Sequence, residues 1–194
     1  MCSNEPILDI ETLKLRDVLL LTPRCIQDNR GFFVENYNEN NFKAVTGLDV
    51  EFVRDCMSMS LNSGTVRGLH YQSPPHATEK LVSVASGRIR DVVVDIRRGS
   101  PTYGQHICIE LSASNCKQLF VPAGFLHGFM SLEPNTVVMY KMDKFFAQNC
   151  DGVVRWNDPD LAINWSIDPA TEIMISERDR SSQLFTNFIS PFEY

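Results

Sequence analysis

Leu81-Val-Ser-Val-Ala85, the pair Ser86-Gly87 and Arg88-Ile-Arg-Asp-Val-Val-Val-Asp-Ile96 decide the fold class. The first run alternates, Ser-Gly offers a turn, and the second run alternates and then becomes more apolar. That is the pattern of two short strands, the second buried on both faces, and it has period two rather than the helical 3.6. Downstream, Arg98-Gly-Ser-Pro101 is a loop by its turn chemistry. Gln105 to Leu111 alternates, Gln118 to Val121 is a short strand ended by Pro122-Ala-Gly124, and Gly128 to Leu132 and Thr136 to Lys141 flank a Glu-Pro-Asn turn. Upstream, Val18 to Leu21, Gly31 to Tyr37 and Val50 to Arg54 read as further strands. Many short strands at turn spacings of about ten residues predict a β-sandwich or barrel. Helical signal is confined to one or two turns near residues 39 to 46 and a short C-terminal helix with Ser176 as N-cap and Asp179 three residues on. The expectation is an all-β, jelly-roll-like single domain over residues 1–194, with arms at both ends.

The chain has 194 residues, 43% hydrophobic and 22% charged, as a single globular domain does. Lys plus Arg number 18 against 24 Asp plus Glu, a net charge of −6. A mildly acidic chain argues against non-specific nucleic-acid binding, which needs a basic surface. No apolar run approaches the roughly 18 residues of a membrane span. Met1 to Asp17 has neither the basic start nor the apolar stretch of a secretory signal, so the expected location is cytoplasmic. Cys2, Cys25, Cys56, Cys108, Cys116 and Cys150 form no C-x-x-C pair. They read as free, structural thiols in a reducing compartment rather than zinc ligands.

Four histidines are present. His106 falls in an alternating strand as an outward or packing residue, and His76 lies solvated in a Pro-rich loop. His70 follows Arg67 in Arg67-Gly-Leu-His-Tyr-Gln72. There an arginine able to grip phosphate stands beside a base that titrates near neutrality; a core histidine with its Arg in a surface pair is the alternative. His127 closes Pro122-Ala-Gly-Phe-Leu-His127, a P-x-G-x-x-H that resembles the second half-motif of the cupins, small double-stranded β-helix barrels. Metal-binding cupins also need an upstream H-x-H and Glu. That half-motif is absent, so no metal is expected. Lys80 is either an inward cation for an anionic oxygen or an edge charge, and Tyr140 either a packed aromatic or a proton donor. Together, a His base, a Lys or Arg electrophile and a Tyr acid suit proton abstraction next to a carbonyl on a phosphorylated ligand.

The chain resembles the dTDP-4-dehydrorhamnose 3,5-epimerases over about residues 15 to 180. The matching segments, in order, are Asp28-Asn-Arg-Gly-Phe-Phe-Val-Glu35, Val66 to Gln72, Lys80-Leu-Val82, Asp91 to Thr102, Val121 to Phe129, Arg155-Trp-Asn-Asp-Pro159 and Ser176-Glu-Arg-Asp179. The resemblance implies a homodimer of cupin-like barrels with exchanged N-terminal strands (about residues 10–60), no metal and no cofactor. The implied substrate is a nucleotide-diphospho-4-keto-6-deoxyhexose. It implies catalytic roles for four residues: His70 as base, Asp179 orienting it, Lys80 on the enolate oxygen and Tyr140 as the acid on the other face. It implies substrate contacts for Arg30, Phe33 and Glu35 from the exchanged strands. Arg67 would bind the pyrophosphate, His127 the substrate and Phe146 the base ring. Arg178 retains the charge of a position often taken by Lys, and Asp151 stands where Glu is usual.

The departure is Phe52-Val-Arg-Asp-Cys-Met-Ser-Met-Ser60, where the family usually reads F-V-Q-D-N-x-S-x-S. Arg54 and Cys56 replace an amide pair on the ligand, which leaves the nucleotide and sugar open. Inversion at C3 alone, another nucleotide such as a GDP- or CDP-linked 4-keto sugar, and a non-catalytic sugar-nucleotide-binding module are the alternative readings. A metal-dependent cupin dioxygenase is a further one, against which the missing half-motif counts.

Overall fold

The computed structural model describes residues 7–194; Cys2 lies outside them. The chain runs through β1 (Leu8–Thr12), β2 (Leu19–Pro23), the hairpin β3 (Cys25–Asp28) and β4 (Gly31–Val34), and helix α1 (Glu39–Thr46). Eight strands follow: β5 (Arg54–Ser60), β6 (Thr65–Gln72), β7 (Lys80–Ser86), β8 (Arg88–Asp95), β9 (His106–Ser112), β10 (Gln118–Val121), β11 (Phe125–Ser131) and β12 (Thr136–Met142). Short β13 (Asp151–Val153), β14 (Met174–Ile175) and α2 (Glu177–Arg180) close it. One sheet has the order β1-β2-β10-β7-β12-β5 and the other β13-β6-β11-β8-β9, with β14 added parallel to β6. This is the expected all-β jelly roll with short helices near both ends.

The two sheets meet over Val82, Val84, Ile89, Val93, Leu119, Phe129 and Val138, the inward positions of their strands. The outer faces are covered too. The C-terminal segment lays Leu161, Trp165, Phe188 and Phe192 on Leu69, Val92, Val94 and Leu126. Residues Phe42 of α1 and Val50 cover Leu21, Leu81 and Phe120. Covering on both faces explains why β8 carries the unbroken buried run Val92-Val-Val94. The helix occupies the expected residues: the Asn38 side chain accepts the Asn41 N–H at 3.1 Å, and Gly47 ends it at φ 70°.

Two strand expectations need correction. Residues 50–53 are not strand; pairing begins at Arg54 and runs to Ser60. Strand β5 inverts the usual polarity: Ser58 faces the barrel interior while Met57 and Met59 lie outward, 72% and 49% exposed. A reading that puts apolar residues inside therefore places the strand too early. The run from Gly31 stops at Val34 rather than Tyr37, because Tyr37 turns to pack on Phe42 and Phe52 beside the helix.

Candidate functional site

Four strands each set one polar residue into an inward row that is otherwise apolar. These are Lys80 on β7, Asp91 between Ile89 and Val93 on β8, His127 between Phe125 and Phe129 on β11, and Tyr140 after Val138 on β12. Asp91 is fully buried against His127, while Lys80, His127 and Tyr140 surround a cavity of about 560 Å³ with Arg67 and His70 of β6, Ser58 of β5, and Arg178 and Asp179 of α2. A side chamber of about 260 Å³ shares His70, Lys80, Met142 and Arg178 with it and adds Arg54, Phe146 and Asp151.

His70 is held from outside its own sheet. Its Nε2 lies 2.8 Å from Oδ1 of Asp179, whose Oδ2 accepts the Gly68 N–H at 3.1 Å. Burial pushes the Asp179 carboxyl up, but the hydrogen bonds from His70 and Gly68 and the charges of His70 and Arg178 outweigh it and hold it below the usual carboxylate range. An ionised Asp179 only accepts, so the His70 proton sits on Nε2 and the Nδ1 lone pair is left free. The short helix α2 aims this carboxylate: Ser176 caps it by accepting the Asp179 N–H at 3.1 Å.

Gly68 and Gly128 let strands β6 and β11 approach closely. A Cβ on Gly68 would meet the Gly128 Cα at 2.6 Å, and the pairing register shifts between His127 and Phe129. That shift puts His70 directly across from His127.

His127 Nε2 donates to both Asp91 oxygens, at 3.0 and 2.9 Å, with both side chains buried. Burial lowers the His127 pKa despite the carboxylate, so this imidazole is neutral. The Lys80 pKa falls to about 8: desolvation lowers it, Asp91 and Asp151 oppose the change, and Arg54 adds to it. Tyr140 hydroxyl and Ser58 Oγ are 2.9 Å apart, and burial raises the phenol, keeping it protonated. Lys80 is thus inward, as the electrophile reading requires. His106 is half-buried and His76 exposed, as expected.

Arg67 reaches the Met59 carbonyl at 2.8 Å from the cavity wall. Arg178 bridges the side chamber to Asp151 at 2.7 Å. Arg54 contacts the Met142 sulfur at 2.6 Å, while its Nε is buried without a partner. Phe146 stands at the chamber, 58% exposed. Cys56 pairs in register with Tyr140 but lines a separate recess of about 30 Å³.

Four expected site residues are not brought to the cavity within one chain: Cys56, in its separate recess, and three from the N-terminal segment. Arg30 pairs with its neighbour Asp28 at 2.5 Å, Phe33 is 69% exposed on β4, and Glu35 accepts from Asn38 and Asn41 at the start of α1. Sequence reading also missed Asp91, Ser58 and Met142. Asp91 carried a signal: an acidic residue inside an apolar strand needs a donor. Among the described residues no group of three or more His, Cys, Asp and Glu is placed to hold a metal ion. Nor, among those residues, is any helix long and apolar enough to cross a membrane.

The family model for dTDP-4-dehydrorhamnose 3,5-epimerase matches residues 12–187. A relative of that name from Pseudomonas aeruginosa is 43% identical over 175 residues, 90% of this chain and 94% of the relative. The dTDP-4-dehydrorhamnose 3,5-epimerase structure from Bacillus anthracis, with TDP and PPi bound, has a TM-score of 0.86 at 44% identity and covers 91% of this chain and 99% of that one. The dTDP-6-deoxy-D-glucose-3,5-epimerase of Legionella pneumophila, in complex with dTDP-4-keto-L-rhamnose, has a TM-score of 0.91 at 33% identity, covering 96% of this chain and 98% of its own.

Proposed function

Because the chain belongs to the dTDP-4-dehydrorhamnose 3,5-epimerase family, we propose that its cavity inverts C3 and C5 of a dTDP-4-keto-6-deoxyhexose with His70 as the base. The supporting observation is that His70 stands on β6 of one sheet and Tyr140 on β12 of the other, across one cavity. A base and an acid on facing walls reach opposite faces of a ring held between them, which inversion needs. His70 Nδ1 takes the proton α to the C4 ketone, and the electron pair moves into the carbonyl. Protonated Lys80 holds the enolate oxygen. The Tyr140 hydroxyl returns a proton to the carbon from the other side, and Arg67 and Lys80 stabilise the tyrosinate that results. Asp179 fixes the base tautomer, and His127, braced by Asp91, bounds the sugar.

Arg67, Arg178 and Arg54 supply positive charge for the pyrophosphate, and Phe146 a face for the nucleobase. Arg30 and Phe33 lie on the β3–β4 hairpin and Glu35 just beyond it, so we place them in the cavity of a partner copy, in a homodimer with exchanged N-terminal strands. Free thiols fit a reducing, cytoplasmic setting.

Turnover of dTDP-4-keto-6-deoxyglucose in D2O tests the reading. Deuterium is expected at both C3 and C5, and His70→Ala should lose exchange at both while still binding dTDP. Label at C3 alone makes the enzyme a monoepimerase. A protein that binds dTDP but labels neither carbon is a binding module or has another substrate, and unchanged turnover in His70→Ala removes His70 as the base.

A further inference from the structure

Two thiols from distant parts of the chain meet at the seam between the β3–β4 hairpin and the barrel. Cys25 opens β3 and pairs across the hairpin with Val34. Phe32 and Val34 of β4 form one wall of a groove of about 230 Å³, whose other wall includes Ala113, Cys116 and Met139. Cys116 sits in the turn between β9 and β10 at a left-handed φ of 53°, its thiol directed to the Ala113 carbonyl at 3.5 Å. Paired residues of antiparallel strands present their side chains on one face, so Cys25 lies on the Val34 side of the hairpin, toward the groove that Cys116 lines; burial, and then the Cys25 sulfur, raises the Cys116 thiol above its ordinary range. Both are free and half-buried. No proposed catalytic step uses either.

We propose that Cys25 and Cys116 are an oxidation site, closing to a reversible intrachain disulfide in the presence of a peroxide. The Cys25 thiolate attacks one peroxide oxygen, giving the sulfenic acid and releasing hydroxide. The Cys116 sulfur then attacks the sulfenic sulfur, the S–S bond forms, and water leaves with the Cys116 proton. Overall, two thiols and one hydrogen peroxide give one disulfide and two waters. The raised Cys116 thiol suits the resolving role, since it is held protonated at neutral pH and is slow to meet peroxide itself. A dithiol reductant restores the pair. The bond would clamp the hairpin to the β9–β10 turn. Any effect on catalysis rests on the proposed placement of Arg30, Phe33 and Glu35 against substrate; the disulfide itself does not.

The test treats the full chain with stoichiometric hydrogen peroxide, blocks remaining thiols with N-ethylmaleimide and maps peptides by mass spectrometry. The expected result is one linked peptide pair containing Cys25 and Cys116, lighter by two hydrogens and reversed by dithiothreitol, with the chain still monomeric on a denaturing non-reducing gel. Cys25→Ser and Cys116→Ser should each abolish the link, and Cys108→Ser should retain it. Full alkylation of both cysteines after peroxide, a link to any other cysteine, or a link between chains overturns the proposal. Because mapping requires no substrate, the outcome is independent of whether the epimerase mechanism holds.

Discussion

Replacing Asp179 with Asn tests how the base is set up, since the change removes a charge and almost no volume. In the native site one carboxylate oxygen faces His70 Nε2 at 2.8 Å and the other takes the Gly68 N–H at 3.1 Å. A backbone N–H only donates, so in the Asp179→Asn variant the amide oxygen must turn to Gly68, because the opposite orientation sets two donors against each other in a buried place. The amide NH2 then faces His70 Nε2 and forces that nitrogen to accept. The ring proton moves to Nδ1, the atom proposed to take a proton from the sugar. Losing a charge-assisted hydrogen bond costs about 1.5–3 kcal/mol, roughly 10- to 150-fold in rate. Losing a positioned base costs about 10²–10⁴-fold. As the two losses overlap, the expected fall in kcat is about 10³–10⁴-fold, the scale seen when an orienting carboxylate in a serine-protease triad becomes an amide.

The assay is solvent deuterium incorporation at C3 and C5, with nitrogen NMR of the His70 ring as the direct report of tautomer. A fall of less than tenfold, or a ring still protonated on Nε2, refutes the reasoning. Stability supplies a second check whose sign is fixed. The folded-state pKa of Asp179 is depressed, so its contribution is present above the unfolded carboxylate range and lost as pH falls through the folded value. The stability gap between Asp179→Asn and the native chain should therefore narrow on acidification; a gap that widens is inconsistent with an ionised Asp179.

The same geometry fixes three further outcomes. Tyr140→Phe should retain proton washout from the substrate but lose net epimerisation by about 10²-fold or more, measured by following exchange and product in one reaction; equal loss of both contradicts the acid role. Lys80 must stay protonated to hold an enolate, and its pKa is about 8 against an ordinary 10.5, so kcat should fall above about pH 8, and Arg54→Gln, which removes one charge lowering that pKa, should move the limb to higher pH. The depressed value also means that the unfolded chain binds more protons between those two values, so Lys80 makes stability rise with pH across that window. His127→Ala leaves the fully buried Asp91 carboxylate without its donor and should cost about 3–5 kcal/mol in urea unfolding; a loss below about 1 kcal/mol means Asp91 finds another partner.

The strands that could be read in the sequence are those whose pattern obeys one rule at a time. β8 carries Val92, Val93 and Val94 in succession because both of its faces are covered, and that run is visible in the sequence. Helix α2 could be located from its cap, because Ser176 sits where a side-chain oxygen closes the first turn; α1 is legible as a short helical run, and its Asn38 cap emerges in the structure. The proposed catalytic set, His70, Lys80, Tyr140 and Asp179, all lining one cavity, could be named through motif resemblance. The neighbours that tune them could not. Asp91 acts on His127 through strand pairing, and Arg54 acts on Lys80 across the side chamber that both line. Neither relation is local in sequence.

The hardest case is the pair Arg67 and His70. In an unbroken strand, residues three apart point to opposite faces, so one of these two would lie outside the barrel. Both line the cavity, which demands an irregularity between them. Gly68 supplies it: its φ of 128° is open to glycine, and the missing side chain makes room for Gly128 on the next strand. The register of that pairing shifts at the same place, as a bulge re-aims a side chain. The Gly68 N–H freed from a regular ladder is the one that Asp179 accepts. The glycine in Arg67-Gly-Leu-His70 thus does more than space a phosphate ligand from a base. It turns both to one side and donates a hydrogen bond to Asp179, the carboxylate that faces His70.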